Sequence, residues 1–234
     1  MMTLGVPSKG RLMEKTFQWF AARGIEMRRT GSERDYGAEI AGMPVALRLM
    51  SAGEIPRELA SGQIHMGVTG SDLVRERIPA WDQAVEVVTK MGFGHADLII
   101  AVPAWWVDVT SLDDLDAVAA DFRATHGHRL RIATKYHRLV RDFLREKGVA
   151  DYRLVDSQGA TEGTVAHGTA EAIADITSTG ETLRANHLKI LSDGEILKSE
   201  AVVYVTRAAE RDPQTSELLK AFEARLAAGP SLNA

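Results

Sequence analysis

Cysteine is missing from all 234 residues, which removes disulfides, thiolate metal sites and cysteine nucleophiles together. Long apolar runs are missing as well. No window approaches the roughly 20 apolar residues that a membrane-spanning helix needs, and the opening MMTLGVPSKGRL lacks the apolar segment of a secretory signal. A cytoplasmic protein with no membrane contact is the expectation. Positive charge is not in excess: the net charge of −4 argues against a general nucleic-acid binder. A cleft can still focus a local positive field on a small anion. The G-x-S-x-G and G-x-x-x-x-G-K-[ST] signatures are absent, so hydrolase and P-loop kinase chemistries lose their usual anchors. The seven histidines, His65, His95, His126, His128, His137, His167 and His187, show no metal-ligand spacing and read as surface or packing residues.

What is present suffices for a substantial core, with 45% of residues hydrophobic. Short apolar strands alternate with amphipathic helices, the pattern of an α/β protein. Thr3 to Pro7 predicts a strand, Ser8-Lys9-Gly10 its turn, and Arg11 to Arg23 a helix ended by Gly24. Residues 38–40 and 45–49 predict a hairpin around Gly42-Met43-Pro44. Further strands are expected at 66–69, 84–90, 98–102, 131–134, 152–157, 188–191 and 201–206. Helices are expected at 55–61, after Ser71 as an N-cap, after Ser111, at 136–147 and at 213–228. Two lobes follow from this order, residues 1–96 with 204–234 and residues 97–203. The runs 97–103 and 200–206 would cross between them, leaving an interlobe cleft as the place for a ligand.

Three turns carry chemistry. Asp175-Ile176-Thr177-Ser178-Thr179-Gly180-Glu181-Thr182-Leu183 follows an apolar strand and joins a carboxylate to small hydroxylated residues and a glycine. Its amides and hydroxyls can surround a phosphate while Asp175 accepts hydrogen bonds from sugar hydroxyls. The alternative is an ordinary strand–turn–helix junction with Ser178 or Thr179 as N-cap. Ser8-Lys9-Gly10-Arg11 can present two cations and its amides to a polyphosphate, or be a glycine turn with solvated charges. Gly67-Val68-Thr69-Gly70-Ser71-Asp72 places an acid at a strand end, either for a ribose or adenine amine or for the helix dipole. Other N-terminal cations are Arg23, Arg28, Arg29 and Arg34.

Taken in order, the segments SKGRL (Ser8–Leu12), GEIPRELASGQIHMGVTGSDL (Gly53–Leu73), MGFGHADLIIAVP (Met91–Pro103), LRIATKY (Leu130–Tyr136), GATEGTVAHGTAEAIADITSTGETLRAN (Gly159–Asn186) and LKSEAVV (Leu197–Val203) resemble the catalytic subunits of ATP phosphoribosyltransferase, the first enzyme of histidine biosynthesis. His137, Val165 and Ser51 depart from the family's usual residues, and with Ser51 in place of an arginine the nearest candidate is Arg48. The resemblance implies a periplasmic-binding-protein-like (type II) fold and transfer of phosphoribosyl from phosphoribosyl pyrophosphate to N1 of the ATP adenine. It assigns Asp175, Thr177, Ser178, Thr179, Gly180, Glu181 and Thr182 to phosphoribosyl pyrophosphate, and Lys9, Arg34 and Glu162 to catalysis. Arg11, Arg48, Gly70, Asp72, Thr134, Lys135 and Tyr136 are then the ATP candidates. Mg²⁺ would be carried by the substrate phosphates, with no protein ligand. The short chain implies the family's short form, with no regulatory domain of its own. That form works with a regulatory subunit resembling a histidyl-tRNA synthetase, in a hetero-oligomer containing a homodimer of this chain. The rival expectation is a non-enzymatic two-lobed protein that binds small anions.

Overall fold

The structure, a computed structural model, describes residues 1–30, 37–157, 159–209 and 212–229. In chain order it begins with β1 (Met2–Pro7), α1 (Gly10–Ala21), β2 (Met27–Arg29), β3 (Gly37–Ile40), β4 (Val45–Met50) and α2 (Ile55–Ala60). β5 (Met66–Gly70), α3 (Ser71–Arg77), α4 (Trp81–Ala84) and β6 (Val85–Lys90) follow. Then come β7 (Ala96–Pro103), α5 (Leu112–His126), β8 (Leu130–Thr134), α6 (His137–Glu146), β9 (Tyr152–Asp156) and α7 (Gly163–Ala166). The chain continues through β10 (Ala172–Thr177), α8 (Glu181–Ala185), β11 (Leu188–Ser199), β12 (Ala201–Thr206) and α9 (Pro213–Ala227).

Two compact units result, Met1–Gly94 with Glu200–Ala234, and His95–Ser199. Residues 200–203, expected in the second lobe, thus lie in the first unit, and His95 and Ala96 in the second. The reason is strand pairing: β12 is bonded along its length to β5 on one side and β6 on the other.

The first unit holds a sheet ordered β2-β3-β4-β1-β5-β12-β6. Both faces are covered, as strands buried on two sides require. Met2, Leu4, Val6, Val203 and Val205 pack with Phe20 of α1 and Phe222 of α9. Val202 and Tyr204, the alternate residues of β12, instead pack with Ile55 and Leu59 of α2 and Val74 of α3. Period-two alternation sends successive side chains to opposite faces.

Gly67 shows why a glycine stands in that sheet. A β-carbon there would meet Ile55 Cγ2 at 2.6 Å and Leu59 Cδ1 at 3.1 Å, so its absence lets α2 rest directly on β5. Gly67→Val is expected to destabilise the protein by about 1–3 kcal/mol through overpacking. Chemical denaturation measures this as a lower midpoint at unchanged slope.

The second unit has the order β11-β7-β10-β8-β9. β8 runs parallel to both β9 and β10, while β7 is antiparallel to β10 and β11. Ile99, Ala101, Ala133, Ile173, Leu183 and Leu188 form a core on it. Ser111 caps α5 in a reciprocal box with Asp114. Hydrogen bonds from Thr110 and Ser111 hold the Asp114 carboxyl down at about 2.

Several elements differ from expectation. β11 extends to Ser199 rather than stopping at Leu191, because register shifts between Ile190, Glu195 and Leu197 absorb the Asp193-Gly194 interruption. β2, α4 and α7 are additional short elements. α3 is entered through Gly70 as N-cap, and Ser71 Oγ accepts a hydrogen bond from the Glu200 amide at 3.4 Å instead. Among the described residues no helix is long and apolar enough to cross a membrane.

Candidate active site

The first unit gathers its candidates at one end of its parallel strands. β1 is parallel to β4 and β5, so Ser8-Lys9-Gly10, the 51–54 turn and Gly70-Ser71-Asp72 all follow carboxyl ends. In open α/β sheets that edge is where ligands bind. Lys9 is the extended N-cap of α1 and its side chain is exposed, while Gly10 takes the left-handed φ of 72° that the turn demands. Arg29 donates from Nη2 to the Ser8 carbonyl at 2.6 Å, fixing the turn from below. Thr69 Oγ1 donates to the Ala52 carbonyl at 2.8 Å and ties the end of β5 to the 51–54 turn.

Arg11 is exposed in the first turn of α1. Asp72 is buried in the first turn of α3, a favourable place for a carboxylate. The Tyr204 phenol lies in the same surroundings and is pushed up to about 12, chiefly by burial. Arg48 is exposed within β4, opposite Gly5 and two residues short of the strand end. Arg34 lies outside the described residues.

The second unit repeats the arrangement. β8 and β10 are parallel neighbours, and their carboxyl ends carry Thr134-Lys135-Tyr136 and Asp175-Ile176-Thr177. Asp175 is 8% exposed. Its Oδ1 accepts the Ile176 amide at 2.9 Å, and the Lys135 ammonium stands 3.7 Å from the same oxygen. Lys135, assigned with ATP by resemblance, is therefore beside the residue assigned to the sugar. Thr134 Oγ1 accepts the Tyr136 backbone amide at 3.0 Å, so the Thr134 side chain shapes the turn from which Lys135 projects.

Beyond Asp175 the chain closes a compact loop. Thr177 Oγ1 accepts the Gly180 amide at 3.0 Å, Thr179 Oγ1 accepts the Glu181 amide at 3.4 Å, and Ser178 Oγ donates to the His95 carbonyl at 2.8 Å. Gly180, at φ 71°, is the N-cap of α8, which starts at Glu181. The alternative in which Ser178 or Thr179 is the N-cap does not occur. A left-handed turn there suits glycine, which has no β-carbon to clash. Glu181 and Thr182 are exposed in the first turn of α8, whose amides lack intrahelical partners. Arg184 was not singled out in the sequence. Its Nη1 donates to the Thr179 carbonyl at 3.1 Å, placing a guanidinium against the loop.

Glu162 precedes α7 and is half-buried. Among the described residues no hydrogen bond or ion pair joins it to Asp175. The strand that presents Asp175 is braced at its other end by Glu171, whose carboxylate receives Arg131 Nη2 at 2.5 Å and the Arg131 amide at 2.7 Å. Burial pushes the Glu171 carboxyl up, but the Arg131 hydrogen bonds and charge outweigh it and hold the group below its usual 4.5. A depressed carboxyl adds stability above the unfolded-state value and loses it as pH falls through the folded one. Glu171→Gln is therefore expected to melt lower than wild type at pH 7. The gap should close as melting curves are taken at pH values below 4.5.

Known proteins place this architecture. A solved histidine kinase sensor domain with similarity to periplasmic binding proteins has a TM-score of 0.52 at 15% identity, covering 97% of this chain and 89% of that one. The ATP phosphoribosyl transferase (HisG:HisZ) complex from Thermotoga maritima gives 0.72 at 23% identity, covering 97% and 98%. The fold class is thus the two-unit, open-sheet α/β type of the periplasmic binding proteins.

A family model described as HisG: ATP phosphoribosyltransferase matches residues 51–227. An ATP phosphoribosyltransferase of Cereibacter sphaeroides is 69% identical over 210 residues, 89% of each chain. This chain belongs to the ATP phosphoribosyltransferase family, pentosyltransferases of the first step of histidine biosynthesis.

Proposed function

We propose that this chain joins N1 of the ATP adenine to C1 of phosphoribosyl pyrophosphate and releases pyrophosphate. The N1 lone pair forms the new bond, and the electrons of the breaking C1–O bond leave with the pyrophosphate. Positive charge grows on the ribose and negative charge on the leaving group. The protein's task is to hold the sugar rigidly and to neutralise the departing anion. Neutral adenine already offers the lone pair, so no strong general base is required.

In this reading residues 177–182 hold the 5′-phosphate through amides and hydroxyls, and Asp175 accepts the ribose hydroxyls. Glu162 adds a second carboxylate for the sugar. Lys9 and Arg34 face the pyrophosphate, and Arg11, Arg48, Gly70, Asp72 and the 134–136 turn serve ATP. Among the described residues no group of three or more His, Asp or Glu side chains is arranged to hold a metal ion. Mg²⁺ would be carried by the phosphates of the substrates, where it offsets part of their negative charge.

The observation that supports this most is the buried Asp175 beside Lys135, immediately ahead of the glycine-hydroxyl loop. A histidyl-tRNA-synthetase-like regulatory subunit is the proposed partner, in a cytoplasmic hetero-oligomer that contains a homodimer of this chain. The test mixes ATP, phosphoribosyl pyrophosphate and Mg²⁺ with the chain, alone and with that subunit, and follows the product's ultraviolet absorbance. Binding of ligands with no pyrophosphate release in either mixture would instead mark a solute-binding protein.

A further inference from the structure

Arg184 is exposed on α8, beyond the glycine-hydroxyl loop, yet its side chain folds back onto that loop. Nη1 donates to the Thr179 carbonyl at 3.1 Å. The same nitrogen stands 3.0 Å from where a β-carbon on Gly180 would be. The guanidinium therefore rests against the Thr179–Gly180 peptide, in space that only glycine leaves open. Gly180 answers two demands at once, a left-handed φ of 71° and room for this contact.

Ion pairing does not explain the contact. Glu181 precedes Arg184 at a spacing where helical ion pairs form. Among the described residues, however, no ion pair joins Arg184 to Glu181 or to any other carboxylate. The guanidinium takes a neutral backbone oxygen instead, and bonds from a charged donor are the stronger kind. Two further bonds hold the same stretch. Thr177 Oγ1 accepts the Gly180 amide at 3.0 Å, and Ser178 Oγ donates to the His95 carbonyl at 2.8 Å. Residues 177–180 are thus tied at three points before any ligand arrives. A backbone fixed in advance spares a ligand the entropy of ordering it.

We propose that Arg184 is a positioning residue for the sugar phosphate, holding the Thr179–Gly180 peptide in the orientation that receives the 5′-phosphate. This rests on the reading of residues 177–182 as the holder of that phosphate. The contacts proposed for pyrophosphate and for ATP do not pass through Arg184.

Calorimetry on the full chain with Mg²⁺ compares phosphoribosyl pyrophosphate, which carries the 5′-phosphate, with inorganic pyrophosphate, which does not. Arg184→Leu keeps an apolar stem without donor or charge. It is expected to bind phosphoribosyl pyrophosphate about tenfold more weakly, with pyrophosphate affinity and melting temperature at wild-type values. A role in helix stability alone would lower the melting temperature and leave the ratio of the two affinities unchanged. Arg184→Lys retains a charged donor and should recover most of the loss. In steady-state assays the effect should appear in KM for phosphoribosyl pyrophosphate rather than in kcat. A loss of less than about twofold in Arg184→Leu overturns the proposal, as does a lysine variant no better than the leucine one. Thr177→Val, which removes the acceptor of the Gly180 amide, separates the proposal from the reading beneath it. If it weakens phosphoribosyl pyrophosphate and Arg184→Leu does not, only the role of Arg184 falls. If neither does, the loop is not the phosphate site and both fall.

Discussion

Asp175→Ala is expected to lower kcat by about 10²–10³, the usual consequence of removing one contact that is strongest in the transition state. Asp175 is buried at the carboxyl end of β10, and its Oδ1 holds the Ile176 amide at 2.9 Å. On its proposed role, the alanine variant loses a ribose acceptor together with a constraint on the loop. Asp175→Asn separates the two effects. It keeps an oxygen for the amide but removes the negative charge that favours a cationic sugar. If charge is what matters, single-turnover rates of the asparagine and alanine variants should fall alike. If only the loop's shape matters, asparagine should stay near wild type and the electrostatic role of Asp175 is abandoned. Lys135 offers a cross-check, because its ammonium shares that oxygen at 3.7 Å.

Lys9→Ala is expected to give a loss of similar size, about 10²–10³ in turnover, with folding left intact. The side chain is exposed and makes no capping bond to α1, so its removal leaves no cavity and no unpaired buried group. The turn itself is held by the backbone and by Arg29 on the Ser8 carbonyl. Single-turnover measurement isolates the chemical step, and denaturant unfolding checks stability. A variant with wild-type single-turnover rates shows that the pyrophosphate charge is met by other groups.

Legibility in the sequence followed the range of the interaction. Residues 201–206 read as a strand and are one, since a β-branched run announces itself locally. Ser111 and Asp114 read as a helix start because a capping box is confined to one turn. Residues 192–199 did not read as strand. Asp193 and Gly194 resemble a break, yet Asp193 Oδ1 accepts the Leu112 amide at 2.9 Å, and a β-carbon on Gly194 would lie 3.1 Å from the Ile100 carbonyl. Both constraints come from residues some eighty or more positions away. The same holds in the site. The alternation of glycines and hydroxyls marked the 175–183 loop, but that Lys135 stands beside Asp175 depends on the register of β8 against β10. Spacing along a chain carries no record of such a register. Gly180 was visible as part of the loop but not as its cap, because a helix start without a side-chain cap has no local signature.

The looseness of the Lys135 and Asp175 pair has its own consequence. At 3.7 Å the ammonium is too far for a tight hydrogen bond, which closes near 2.9 Å. On the proposed role of Asp175, an incoming sugar diol takes this oxygen without first breaking a tight charge-assisted hydrogen bond.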